Sequence, residues 1–207
     1  LSFEAAALNE PFSVGIHALK RASFEPGMDV AVIGLGPVGL MAVAAAKALG
    51  ARTLIASDLE ETRLQAARHL GATHTISAAD PNIMEKIRQW TGGNGVDVAL
   101  ETAGHASALA NALGSVRRGG KLSIVGLPAN PMASVNVPFI CDNEVDIYGI
   151  FRYANRYELG IDILSSGAVD TGFLITDRYP LVRTQEALEQ ALHNKKGSLK
   201  VVVYPNE

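Results

Sequence analysis

From residue 30 onward the chain alternates short β-branched apolar runs with longer stretches whose apolar residues recur at helical spacing. The runs predict strands at Val30–Ile33, Thr53–Ser57, His74–Ile76, Val96–Glu101, Lys121–Val125 and Asp146–Ile150. The stretches between them predict helices at Val38–Leu49, Glu60–Leu70, Pro81–Trp90 and Ala106–Arg117. A glycine stands just past each helix, at Gly50, Gly71, Gly92 and Gly119, where a left-handed residue closes a helix cheaply. Strand and helix in alternation make consecutive βαβ units, and so a parallel sheet with helices on both faces.

The rhythm weakens after the fifth strand, where Pro128, Pro131 and Pro138 predict a loop and one short helix. Two flanks stand outside the pattern. Before it, Phe3–Leu8 and Ser13–Arg21 read as two short helices broken at Glu10-Pro11; after it come helices at Tyr157–Ser166 and Glu186–His193 and a strand at Leu199–Tyr204. That last strand follows a completed sheet, so it needs another sheet to join, expected in the part of the protein outside these residues. The expected division is therefore a flanking segment 1–22, a central α/β domain 23–156 and a returning segment 157–207.

Composition adds limits. The 207 residues are 48% hydrophobic and 19% charged, with a mean hydropathy of +0.16, which suits strands covered on both faces. Eighteen Lys and Arg against 21 Asp and Glu leave a net charge of -3 and no basic stripe, which argues against nucleic acid as a partner. The uncharged stretch Val30–Ala46 contains Gly34, Gly36, Pro37 and Gly39, so no membrane span is expected. A single cysteine, Cys141, excludes an intrachain disulfide and an all-thiolate zinc cluster and fits a reducing, cytoplasmic setting. The opening Leu1-Ser2-Phe3-Glu4 resembles neither a translation start nor a signal peptide, and the chain reads as part of something longer.

The most informative local feature is Gly34-Leu35-Gly36-Pro37-Val38-Gly39, between the first strand and the Ala-rich helix. In such a turn the first glycine permits the bend, the second lets backbone amides approach a pyrophosphate, and the third lets helix lie close on strand. The helix start then faces the anion with unpaired N–H groups and a favourable dipole, and Pro37 sits where no hydrogen bond is wasted. Glycine-rich turns also arise from close packing alone, so the context counts. Asp58 ends the next strand nineteen residues after Gly39, where a carboxylate accepts from the adenosine ribose hydroxyls and repels a 2′-phosphate. That favours NAD over NADP, although Asp58 can equally cap the following helix and Arg63, one turn on, can stack on adenine or receive a phosphate. The last three strands end in Glu101-Thr102-Ala103-Gly104, Val125-Gly126-Leu127 and Ile150-Phe151-Arg152, and these ends are expected to line the nicotinamide side of the crevice. The whole predicts a Rossmann doubly wound sheet of six parallel strands in order 3-2-1-4-5-6.

Together with the glycine turn, Glu10-Pro11-Phe12-Ser13-Val14-Gly15-Ile16-His17-Ala18 and Phe151-Arg152-Tyr153-Ala154-Asn155 resemble the zinc-dependent medium-chain polyol dehydrogenases, the sorbitol (L-iditol) and xylitol dehydrogenase branch. The resemblance covers essentially the whole chain. It implies a coenzyme domain whose flanks run to a GroES-like catalytic barrel lying outside these residues. It further implies that Val38, Asp58, Arg63, Val125, Gly126, Leu127, Ile150, Phe151 and Arg152 touch NAD, joining Gly34, Gly36, Pro37, Gly39 and Thr102. Glu10, Arg152 and Tyr153 would reach the polyol and the zinc-bound water or hydroxyl. The residue types suit those tasks: a carboxylate can relay a proton, an arginine can hold several hydroxyls, and a tyrosine can donate or accept at a sugar alcohol. The family's zinc ligands are absent, and His17, His69, His74, His105 and His193 form no pair at metal-site spacing, so zinc is expected in the full-length protein and not on this chain. Three rivals stay open: a zinc-free quinone or enoyl reductase, a non-catalytic NAD sensor and a methyltransferase. The family is often oligomeric, and the Val145–Ile150 strand with the Pro-rich stretch before it is where a subunit contact is expected.

Overall fold

The computed structural model describes residues 1–194 and 196–206. Its elements run α1 (Phe3–Arg21), β1 (Val30–Ile33), α2 (Pro37–Ala48), β2 (Leu54–Asp58), α3 (Glu61–His69), β3 (His74–Ser77), α4 (Ile83–Trp90), β4 (Val96–Glu101), α5 (Ala106–Ser115), β5 (Val116–Ile124), α6 (Val137–Asp142), β6 (Asp146–Gly149), α7 (Tyr157–Ser165), β7 (Ile175–Pro180), α8 (Thr184–His193) and β8 (Lys200–Tyr204). Strands β1 to β6 pair in parallel in the order β3-β2-β1-β4-β5-β6, as the sequence rhythm predicts.

Alternation along the strands sends neighbouring side chains to opposite faces. Val30, Val32, Leu54, Ala56, Val98 and Leu100 meet α1, α2 and α3 on one face. Ala31, Ile33, Ile55, Ala99 and Leu122 meet α4 and α5 on the other. Burial on both sides explains why α2 is apolar nearly all round: Gly39 through Ala46 are all buried between the sheet and α1. None of the described helices is long and apolar enough to cross a membrane.

Four expectations need correction. The first flank is one helix: α1 starts with Ser2 Oγ accepting the Ala5 N–H at 3.1 Å and runs straight through Pro11. Proline cannot supply the N–H for that turn, but Leu8, Pro11, Phe12, Ile16 and Leu19 are all buried, and this burial outweighs one missing bond. A Cβ on Gly15 would fall 2.7 Å from Ala42 Cα, so α1 and α2 approach to backbone contact there.

The second correction concerns β5, which begins at Val116 and not at Lys121, while α5 ends at Ser115 and not at Arg117. Val116 already pairs with Val96, and the register shifts before Val98 pairs with Lys121. Gly119, at φ +67°, belongs to that irregularity and does not close a helix. Third, the strand β7 went unpredicted, because Ile-Thr-Asp-Arg-Tyr-Pro carries little alternation and ends in proline. Fourth, the final strand finds its partner within the chain: β8 pairs in parallel with β7, through the α8 crossover, as a separate two-stranded sheet.

Candidate functional site

The glycine turn joins β1 to α2 at the carboxyl edge of the sheet. Gly34 holds φ +101°, and a Cβ on it would sit 2.7 Å from the Cβ and backbone nitrogen of Ala103. A Cβ on Gly39 would lie 1.9 Å from the Gly34 carbonyl oxygen. That carbonyl also accepts from Thr102 Oγ1 at 2.5 Å, which ties the turn to the end of β4. Gly36 differs from both. It caps α2 at φ -63° with no side-chain bond, and a Cβ on it would meet no protein atom within 4 Å. The fold therefore requires two of the three glycines. Gly36 leaves open space before the first turn of a twelve-residue helix, whose leading N–H groups lack partners within the helix. Pro37 occupies the first helical position and is exposed, and Val38 is half-buried beside it.

Asp58 is buried at the end of β2 and already holds several groups. Its Oδ2 accepts the Leu35 N–H of the glycine turn at 2.7 Å, and its Oδ1 accepts the Glu60 N–H at 3.0 Å. Arg63 Nη1 lies 3.6 Å from Oδ2. Asp58 does not cap α3 as the alternative reading expects: the N-cap is Glu60, without a side-chain bond, and Asp58 lies two residues ahead of it, beside the glycine turn. A cavity of about 280 Å³ opens between Asp58, Arg63, Ser57 and Gly34 on one wall and Ala103, His105, Ser107 and Asn111 on the other. The Ser57 hydroxyl is buried there without a hydrogen-bond partner.

At the carboxyl ends of β4 and β5, two turns lie against each other. Gly104 (φ +66°) and Gly126 have no room for side chains: a Cβ on the first would fall 2.7 Å from the Leu127 carbonyl, and one on the second 2.2 Å from the Gly104 nitrogen. Thr102, Val125 and Gly126 are half-buried, while Leu127 is 84% exposed. Glu101, which sequence reasoning treats only as a strand end, is buried beneath both turns and accepts from Ala103 and Gly104. A charged residue ending an otherwise apolar strand, just before a Thr-Ala-Gly turn, is the signal that marks it. Ile150 is buried past the end of β6, whereas Phe151 is 77% exposed and Arg152 lies with its guanidinium 5.5 Å from the Phe151 ring centroid. Arg152 holds φ +52° and Asn155 φ +54°, uncommon for residues with side chains.

Tyr153 packs against Tyr157, ring centroids 5.4 Å apart. Glu10 is exposed on α1. Among the described residues no hydrogen bond or ion pair links Glu10 to Arg152 or Tyr153. α1 does meet the start of α7, a few residues past Tyr153: Asn9 Nδ2 donates to the Tyr157 carbonyl at 3.0 Å, and Ser13 Oγ to that of Arg156 at 3.5 Å. This seam between α1 and α7 leaves Asn9 Oδ1, His17 Nδ1 and Arg156 Nε buried without hydrogen-bond partners. Burial, then the charges of Arg156 and Arg21, push the His17 imidazole below its ordinary pKa. Among the described residues no group of three or more His, Cys, Asp or Glu side chains is arranged to hold a metal ion, so no chemical step is assigned to zinc on this chain.

The geometry has counterparts among known proteins. Residues 37–166 match the family model described as zinc-binding dehydrogenase. The chain is 60% identical to sorbitol dehydrogenase of Bacillus subtilis (strain 168) over 206 residues, covering 100% of this chain and 58% of that protein. It is 37% identical to sorbitol dehydrogenase of Bos taurus, covering 98% and 57%. The crystal structure of 2R,3R-butanediol dehydrogenase from Bacillus subtilis superposes with a TM-score of 0.91 at 31% identity, over 100% of this chain and 59% of that one. The chain thus spans rather more than half the length of the relatives it matches.

Proposed function

The chain belongs to the zinc-binding dehydrogenase family, and on that premise we propose that it is the NAD-binding part of a dehydrogenase that takes hydride from a secondary alcohol, a polyol of the sorbitol or xylitol kind. Gly36 carries the proposal. Packing demands glycine at Gly34 and Gly39 but not at Gly36, and a ligand passing against the backbone accounts for the third. The residues therefore fit a dinucleotide: the amides at the start of α2 take the pyrophosphate, and Asp58 takes the adenosine ribose and disfavours a 2′-phosphate. NAD, when bound, accepts the hydride. What this chain supplies is a place for it: Thr102, Val125, Gly126, Leu127 and Ile150 bound the slot for the nicotinamide ring, and Phe151 covers its exposed side.

Arg152, held at positive φ beside that slot, and Tyr153 are assigned to the substrate hydroxyls, with Glu10 approaching from α1. Residues 23–156 form the nucleotide-binding unit, and 1–22 and 157–207 carry the flanks that face a GroES-like catalytic barrel. The open outer edge of β6, with Ile147 exposed, is assigned to a second copy of the protein. These 207 residues alone bind NAD without oxidising a polyol.

Calorimetric titration with NAD, NADP and S-adenosylmethionine tests the reading. NAD is expected to bind, NADP more weakly and S-adenosylmethionine not at all. Folded protein that ignores NAD would overturn it, and polyol oxidation by the 207 residues alone would overturn the division of labour.

A further inference from the structure

Glu101 ends β4 with only 2% of its surface exposed, on the sheet face that carries Ala99. Its Oε1 accepts the Ala103 N–H at 2.9 Å and the Gly104 N–H at 2.8 Å. Its backbone carbonyl accepts the Val125 N–H at 2.8 Å and the Gly126 N–H at 3.0 Å. One residue thus takes four backbone donors, two from each of the two turns that bound the slot. A Cβ on Gly126 would also come within 2.6 Å of Glu101 Oε2, so the second turn rests on the carboxylate itself.

A buried carboxylate is an unfavourable way to fill space; a leucine would do so without desolvating a charge. What the carboxylate adds is strong, directional acceptance at backbone amides just ahead of α5, where the helix start also favours negative charge. The glycine turn has a support of its own in Asp58, which accepts the Leu35 amide, besides the bond from Thr102 to the Gly34 carbonyl that joins it to the 102–104 turn. The adenosine end therefore keeps an anchor that Glu101 does not touch, whereas both turns at the far end rest on Glu101.

We propose that Glu101 is a positioning residue that fixes the separation of the 102–104 and 125–127 turns and so acts on the flat ring at the far end of the dinucleotide more than on the adenosine end, which Asp58 also anchors. The proposal rests on the NAD reading above. Without the carboxylate, the Ala103 and Gly104 amides lose their acceptor and the first turn is free to rotate against the second.

Titration of the purified protein with NAD and with ADP-ribose, which lacks the nicotinamide ring, separates the two ends. Glu101→Ala is expected to bind NAD about 10-fold or more weakly while ADP-ribose stays within about 3-fold of the unaltered protein. Glu101→Gln keeps one side-chain oxygen able to accept both amides, and is expected to restore most of the NAD affinity. Glu101→Asp keeps the charge but retracts it by one methylene, and is expected to repeat the selective loss even if the alanine variant does not fold. Equal losses for both ligands in the folded Ala or Asp variant would overturn the role of Glu101. Failure of the unaltered protein to bind either ligand would instead overturn the NAD reading.

Discussion

Strands β1 and β8 look alike in sequence, Val-Ala-Val-Ile and Lys-Val-Val-Val-Tyr, yet the molecule treats them differently. β1 lies at the centre of six strands with helices on both faces, and all four of its residues are buried. β8 pairs only with β7 and is half-buried throughout. The first sheet is held by apolar close packing. The second is tied to α1 by a polar clamp: Arg178 grips both oxygens of Glu4, Nε at 2.6 Å and Nη2 at 3.0 Å, and the Tyr204 hydroxyl donates to the same carboxylate. Short apolar runs thus say that a strand forms, but the number of neighbours decides what stabilises it.

The largest expected effect breaks the first region. Gly39→Ala drives a methyl into the Gly34 carbonyl, and overpacking of this kind costs about 1–3 kcal/mol or more, so urea unfolding should move to a clearly lower midpoint. Gly36→Ala, three residues away, separates fold from ligand: the unfolding midpoint should fall far less, by no more than the modest cost of alanine at an N-cap, while NAD affinity falls by about 10- to 100-fold. If the two alanine variants lost stability equally, packing alone would explain the whole turn and the assignment to a dinucleotide would lose its main support.

Acid should affect the second region first. The Arg178 guanidinium, and after it the Tyr204 hydroxyl, hold the Glu4 carboxyl down from 4.5 to about 2. A depressed carboxyl contributes its stabilisation fully above its unfolded pKa, and that contribution is lost as the pH falls through the folded value. Between about pH 4.5 and 2 the β7–β8 amides should therefore exchange hydrogen faster, after correction for intrinsic rates, while those of β1 and β2 change little from this cause. Glu4→Gln should reproduce that loosening at neutral pH and remove most of its pH dependence. The smallest effect is expected for Tyr204→Phe, which removes one of three bonds to Glu4 and should give a slight fall in Tm, further reduced by high salt.

The sheet was legible because each of its strands carries its own apolar run and each neighbouring helix its own period. What escaped depended on remote partners. Pro11 argues locally for a break, and only the burial of Leu8, Phe12 and Ile16 against α2 overrules it. The start of β5 reads as the end of a helix until Val96 is there to pair with Val116. In the site, glycine spacing and Asp58 could be read directly, because backbone geometry and charge are properties of single positions. For Glu101 the charge at the end of an apolar strand was visible but its task was not, since its partners are backbone amides of the turns that follow β4 and β5. The buried seam of Asn9, Ser13 and His17 was hidden for the same reason: their spacing on α1 is visible, but α7 lies more than a hundred residues away.

Asp58 bears on how such a protein can change over evolutionary time. The carboxylate assigned to telling one cofactor from another also accepts the Leu35 amide and the Glu60 amide in the folded chain. Exchanging it for a small neutral residue to admit a 2′-phosphate would leave the buried Leu35 N–H without its acceptor. On the role proposed for Asp58, a switch of cofactor in this scaffold costs stability at the glycine turn unless a second substitution there supplies another acceptor, so that selectivity and the shape of the turn evolve as one character.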